Sequence, residues 1–216
     1  MNKRYSRWLM GIFVLLLGLI TISLISICSG SVSISIKKIL ELLLNPDNSI
    51  EYSILANIRL PRIILGFAIG GALSVAGVLL QGMFRNPLVE PYTLGISGGA
   101  ALGVSLNIVL DIHKTFGGIS LTFAGLLGAL IVVVLVYSLS LRKGALDIHG
   151  ILLIGVMISF MSSGLIMLIM SVSKASDLHG IIFWVMGSLE EPDWVLIKLA
   201  VLVSVSGVAA AYFFLF

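Results

Sequence analysis

The chain has 216 residues, 59% of them hydrophobic and 11% charged, with a mean hydropathy of +1.17. Ordinary soluble domains carry about 25% charged residues, and a soluble fold of this size could not hide so much apolar surface. The 13 basic and 10 acidic side chains are scattered between apolar runs, which excludes a nucleic-acid partner, and the single Cys28 excludes an intrachain disulfide.

A spanning helix needs about 20 apolar residues. Lys3, Arg4 and Arg7 precede an uncharged run beginning at Trp8, which predicts a first span within 8–30. The 21 residues from Trp8 to Cys28 exceed the core of a secretory signal, and Ile27 is not the small residue a lipoprotein signal places before its cysteine, so a retained helix is expected. The connection from Ser29 to Ile58 is too long for a hairpin, and its Ile39–Leu44 stretch reads as a short interfacial helix. Further spans are expected at 63–84, 92–110, 116–141, 150–173 and 194–216, with Lys198 close enough to an end to snorkel. Leu178 to Leu189 is too short to span and reads as a re-entrant or surface-lying helix. Helices are expected throughout because only helices and closed barrels satisfy the backbone in lipid, and these runs do not alternate as barrel strands do.

With the amino terminus inside, the inner side carries Lys3, Arg4, Arg7, Arg85, Arg142 and Lys143, and the outer side Lys37, Lys38, Arg59, Arg62, Lys114 and Lys174. The count is balanced, and the cluster ahead of the first span decides for a cytoplasmic amino terminus.

The junctions are marked by charge and proline. Pro61 suits a first helical turn, which puts Arg59 and Arg62 at the head of the second span as interfacial anchors. Asn86-Pro87 ends that span, because a residue before proline avoids the α region. Gln81, one turn earlier, suits an interhelical hydrogen bond. Gly66 and Gly70 are four apart, as are Gly95, Gly99 and Gly103, a spacing that lets helix backbones approach closely. In the fifth span Ser159, Ser162 and Ser163 lie among methionines and suit packing against neighbouring helices.

Arg59-Leu60-Pro61-Arg62, an uncharged Gly-rich run, Arg85-Asn86-Pro87-Leu88, Pro91 and Leu94-Gly95-Ile96-Ser97-Gly98-Gly99-Ala100 follow one another across residues 59–103. Their order and spacing resemble the permease subunits of iron-siderophore, haem and cobalamin ABC importers, the FecCD-type family. The resemblance implies an all-α integral membrane protein, a polytopic bundle of the type II ABC importer kind, in the plasma (inner) membrane with a cytoplasmic amino terminus. It implies that Arg59 and Arg62 face outward to pair with acidic residues of an extracytoplasmic substrate-binding protein, a task suited to the guanidinium fork. It places Gln81, Arg85, Asn86 and Pro87 at an inner turn and gate, and Ser159, Ser162 and Ser163 on the central pathway. Implied partners are a second permease chain, identical or similar, and cytoplasmic ATP-binding subunits. The implied cargo is a ferric siderophore or related iron chelate, with haem or cobalamin as alternatives. Family members continue past a sixth span into a coupling segment that contacts the ATPase, so residues 1–216 are expected to form a single transmembrane permease domain, incomplete at its carboxyl end.

The sequence contains no Gly-x-x-x-x-Gly-Lys-Ser/Thr, so no cofactor is expected on this chain and ATP would be used by a partner subunit. No metal site is expected; His113, His149 and His179 are isolated in the sequence and read as interfacial. One enzymatic reading stays open. Gly95-Ile96-Ser97-Gly98-Gly99 fits the Gly-x-Ser-x-Gly nucleophile pattern, and Ser97 with His149 would serve an intramembrane serine protease.

Overall fold

The computed structural model describes residues 3–45, 47, 49–142, 145–146, 148–189 and 193–215. Lys143 and Phe216, placed above on the inner side and in the sixth span, lie outside them. The chain folds as two compact units, residues 1–72 with 189–216, and residues 73–188. Among the described residues the protein is all-α apart from a two-residue antiparallel ladder pairing Leu141 with Leu146.

In the first unit, α1 (Lys3–Cys28) is an unbroken apolar helix. Ser35 caps α2 (Ile36–Leu44) by accepting from the Lys38 N–H at 3.3 Å, and Ser49 caps α3 (Ile50–Ile54) by accepting from the Tyr52 N–H at 3.1 Å. Each hydroxyl satisfies one amide that a first helical turn leaves unpaired. α3 runs without a break through a π-helical turn, Leu55–Arg59, into α4 (Leu60–Phe84), a continuous helical stretch from Ile50 to Phe84. Pro61 therefore sits well inside a helix and not at its first turn, which corrects the sequence expectation. The π turn supplies the reason. Proline donates no N–H and its ring clashes with the carbonyl four residues earlier, here Asn57. The wider turn opens the backbone at that place, and the Leu60 N–H donates five residues back to Leu55. Leu55, Leu42, Ile39 and Ile34 form a small core at this end of the unit, with Ile27, Cys28, Tyr52 and Leu60 packed against it. α10 (Trp194–Leu215) closes the unit, burying Ile197 and leaving Lys198 exposed on its second turn.

In the second unit, a 3-10 turn (Pro91–Leu94) leads into α5 (Ile96–Val109), followed by the single turn α6 (Ile112–Phe116), α7 (Ile119–Ser140), α8 (Ile148–Val172) and α9 (Ala175–Met186). Five helical stretches among the described residues are long and apolar enough to cross a membrane. The predicted third span is the exception. Left-handed Gly95 (φ 78°) precedes α5 and left-handed Asp111 (φ 56°) follows it. Its 14 residues reach only about 21 Å at 1.5 Å per residue, short of the roughly 30 Å hydrocarbon layer. α9, with 12 residues, is the short helix expected around Leu178–Leu189.

What α5 lacks in length it recovers in burial. It packs against both α7 and α8, with Gly99, Val104, Ser105, Asn107 and Ile108 buried. A Cβ on Gly99 would lie 2.6 Å from the Gly128 carbonyl oxygen, one on Gly128 would strike the Gly99 carbonyl, and one on Gly103 would strike that of Ala124. The backbones of α5 and α7 therefore touch along a glycine seam. Asn107, 4% exposed, closes the far end by donating from Nδ2 to the Ser120 carbonyl at 3.2 Å. Val104, Ile108 and Ile181 then join α5 to α9.

Gly99→Val should cost about 1–3 kcal/mol or more, because beside the Val132 side chain it meets the Gly128 backbone, which cannot rotate away. Gly164→Ala meets open space on α8 and should match or exceed the parent by about 0.5–1 kcal/mol. Thermal unfolding of the detergent-solubilised protein reads both, with a fall in Tm expected for the first only.

Candidate functional site

The two proline-marked junctions lie in different units. In the first, the π turn rotates Arg59 inward. Its side chain is 8% exposed. Nη1 donates to the Ile27 carbonyl at 2.5 Å and Nη2 to the Val32 carbonyl. Ile27 belongs to the last turn of α1, whose carbonyls have no intrahelical donor, so Arg59 caps that helix from across the unit and places a positive charge at its negative end. Gly30 makes room, since a Cβ there would sit 2.6 Å from Nη2. The outward-facing position implied for Arg59 is thus not the one the fold gives it; a guanidinium with two main-chain acceptors and little exposure presents no open fork to a partner. Arg62 is exposed and borders an apolar groove of about 380 Å³ lined by Leu19, Ile22, Ile63 and Phe67. A Cβ on Gly66 would lie 3.9 Å from Leu189 Cδ1, whereas one on Gly70 would meet nothing within 4 Å.

In the second unit, α4 ends at Phe84 because Arg85 turns left-handed (φ 49°), one residue earlier than the proline rule expects. The Asn86 N–H donates to the Gln81 carbonyl at 3.2 Å and the Arg85 N–H to that of Gly82 at 3.3 Å, which satisfies carbonyls the helix end would leave open. The Asn86 side chain accepts from the Leu88 N–H at 3.0 Å and fixes the turn into Pro87. The side chains of Gln81, Arg85, Asn86 and Pro87 are all exposed. Gly155 of α8 meets the turn that follows: a Cβ there would lie 2.8 Å from the Thr93 carbonyl, and one on Gly95 would lie 2.7 Å from the Gly155 carbonyl.

The three serines of α8 do not share a face. Ser159 donates back to the Gly155 carbonyl at 3.1 Å and lies against Gly95. Ser162, 4% exposed, lies against Gly98. Ser163 is exposed, on the flank that carries Phe160 and Met167. The first two positions are packing positions in this fold.

Past the end of α5, Lys114 Nζ approaches Asp111 Oδ1 at 2.7 Å. The hydrogen bond from Lys114, opposed by some desolvation and aided by the charges of Lys114, Lys174 and His113, holds Asp111 below the usual carboxylate range; Asp111 in turn raises Lys114. The depressed carboxyl stabilises the fold above its unfolded-state pKa and loses that effect as pH falls through the folded value. The raised amine stabilises below its unfolded-state pKa and loses it as pH rises through its own folded value. Both groups are open to solvent, so the contribution is small.

Among the described residues no group of three or more His, Cys, Asp or Glu side chains is arranged to hold a metal ion. Ser97 and His149 are both exposed, and no hydrogen bond joins them.

The chain matches the model of the FecCD transport family over residues 15–215. It belongs to the FecCD transport family. It is 34% identical over 196 residues to the hemin transport system permease protein HmuU of Yersinia pestis, covering 90% of this chain and 57% of that protein. It is 34% identical over 198 residues to the Fe(3+)-citrate import system permease protein YfmE of Bacillus subtilis, covering 92% and 58%. A solved structure described as an inward-facing metal-chelate type ABC transporter superposes with a TM-score of 0.71 at 30% identity, covering 86% of this chain and 56% of that one. The chain thus spans a little over half the length of the relatives it matches. Membership of a transport family, with a multi-pass membrane architecture, displaces the serine-protease reading of Ser97 and His149.

Two positions mattered that the residue pattern did not single out. Gly128 is the partner of Gly99, and its signal was Ala124 four residues before it, the same small-residue spacing found in α5. Asn107 was visible only as one amide in an apolar run.

Arg59→Ala should leave the Ile27 and Val32 carbonyls without donors at a cost of about 1–3 kcal/mol, more than Arg62→Ala, whose side chain is exposed. Thermal unfolding in detergent checks the contrast. Equal behaviour of the two variants would show that the cap contributes nothing.

Proposed function

We propose that this chain is a permease subunit of a binding-protein-dependent ABC importer, carrying a ferric siderophore or related iron chelate. The observation that supports it is the match along almost the whole chain to a transport family, together with a shared fold at 30% identity with a metal-chelate type transporter. Haem and cobalamin stand as alternative cargoes, since relatives are named for hemin, Fe(3+)-citrate and vitamin B12 import. In this reading the chain contributes to one transmembrane permease domain in the plasma membrane with its amino terminus cytoplasmic. It pairs with a second permease chain, identical or similar, and ATP is consumed by separate cytoplasmic subunits.

Within that reading each candidate has a specific task. Arg62 is the docking contact for acidic residues of the substrate-binding protein, because it is the exposed arginine of the pair. Gln81, Arg85, Asn86 and Pro87 form the inner turn whose movement gates the pathway. The fixed hydrogen bonds of Asn86 suit a turn that moves as a unit. Ser163 carries the weakly polar surface of α8 toward the pathway, with Ser159 and Ser162 holding that helix in place behind it. The mechanism is alternating access, in which ATP-driven closure of the partner subunits shifts the bundle between outward- and inward-open states.

Deleting the gene should abolish uptake of radiolabelled ferric siderophore while leaving uptake of haem and cyanocobalamin intact. Loss of haem or cobalamin uptake instead reassigns the cargo, and unchanged uptake of all three removes all three cargo assignments. Arg62→Glu should weaken docking of the substrate-binding protein about tenfold, equivalent to about 1.4 kcal/mol. Unaltered affinity in a binding titration on nanodiscs would rule out the docking role.

A further inference from the structure

The helix α2 carries more apolar surface than the fold uses. Ile39 and Leu42 are buried in the small core of the first unit. Ile36, Leu40, Leu43 and Leu44, spaced four, three and one apart, form an adjoining flank and are exposed, with Leu44 at 78%. Lys37 and Glu41 lie on a polar flank that adjoins Leu44 and faces away from the buried stripe, with Lys38 between that flank and the core, and Lys38 Nζ meets Glu41 at 3.3 Å. The helix thus has three faces: one on protein, one apolar and open, one charged and open. A surface helix in water would not hold a row of four bare aliphatic side chains beside its buried stripe.

The position of α2 says what covers that row. Its buried residues pack on Ile27 and Cys28, the last two residues of α1, and on Tyr52, Leu55 and Leu60 around the π turn. α1 and the Ile50–Phe84 stretch are both long and apolar enough to cross a membrane. A helix fastened to the last turn of one such span and beside the π turn of the next is held at the depth where hydrocarbon gives way to headgroups.

We propose that α2 is a membrane-surface helix, seated in the headgroup layer of one leaflet, whose Ile36, Leu40, Leu43 and Leu44 flank enters the upper acyl region while Lys37 and Lys38 take anionic phospholipid headgroups. The chemistry matches an interfacial amphipathic helix: aliphatic residues on one flank, lysines on the other, and a length that lies along the surface and cannot span. The lysines favour anionic over zwitterionic lipid, each near-surface charge adding modest attraction within a Debye length. The seat would hold the loop between the first two spans in place and brace the turn that Arg59 caps. It does not depend on what the protein carries.

The test uses the full chain in vesicles of phosphatidylethanolamine and phosphatidylglycerol. A nitroxide is attached at Leu43→Cys or at Lys37→Cys in a Cys28→Ser background, and collisions with oxygen are compared with those of a water-soluble nickel chelate. The oxygen-to-nickel ratio should exceed one at position 43 and fall below one at position 37. Replacing the lipid by phosphatidylcholine alone should lower the ratio at 43. A label at 43 as open to nickel as that at 37 overturns the proposal, as does a label at 43 shielded from both, which would mean that protein covers the flank. An unchanged ratio in phosphatidylcholine removes the anionic preference. If the cysteine variants fail to fold, Leu40→Trp with brominated lipid asks the same question: added quenching over the parent supports the seat, and none refutes it.

Discussion

The hydrocarbon layer offers no hydrogen bonds, so each main-chain N–H and C=O at that depth must find its partner within the protein. The rest of this structure follows from that requirement. It makes the apolar runs helical. It also explains where the chain spends its few polar side chains. Ser105, Ser140, Ser159 and Ser173 each return their hydroxyl to a carbonyl four residues earlier. The carbonyls at the end of α1 are reached by an arginine from another helix, and those at the end of α4 by the amides of a left-handed turn. Proline in a long helix is the sharpest violation of the requirement, and the π turn before Pro61 is the local answer to it.

That answer also shapes the arginine pair at this junction. Arg59 and Arg62 are three apart, which on a regular helix puts them on nearly the same face. The wider turn that ends at Arg59 accompanies a division of labour. One guanidinium is sequestered on the carbonyls of Ile27 and Val32, and the other remains exposed. A buried arginine with only neutral acceptors depends on good geometry, and Gly30 provides it by leaving space for the fork.

The second unit solves a different problem. A 14-residue helix cannot cross a bilayer by itself, yet α5 is the helix most enclosed by its neighbours, with buried residues along its length. Glycines on both α5 and α7 bring the two backbones into contact, and the dispersion gained over that seam substitutes for the hydrophobic drive that lipid removes. The same device brings α8 onto the turn between Glu90 and Gly95, so that the motif-bearing turn rests directly on a helix backbone.

Much of this was legible in the residues. Hydropathy located the long spans because the cost of exposing polar groups to lipid is large and local, and it needs no knowledge of neighbours. Proline and charge marked the junctions, and the motif order across residues 59–103 pointed to the FecCD family. The glycine spacing marked helices whose backbones could approach closely but not their partners, because close approach is a property of two surfaces. Likewise, only the tertiary structure decided that Arg59 turns inward, that Pro61 lies inside a longer helix, that the predicted third span is short, and that Ser162 is buried while Ser163 is exposed. Each of these depends on the direction of a side chain relative to a distant segment. A change of one residue per turn, as at Leu55–Arg59, is enough to alter that direction while leaving the hydropathy of the run unchanged.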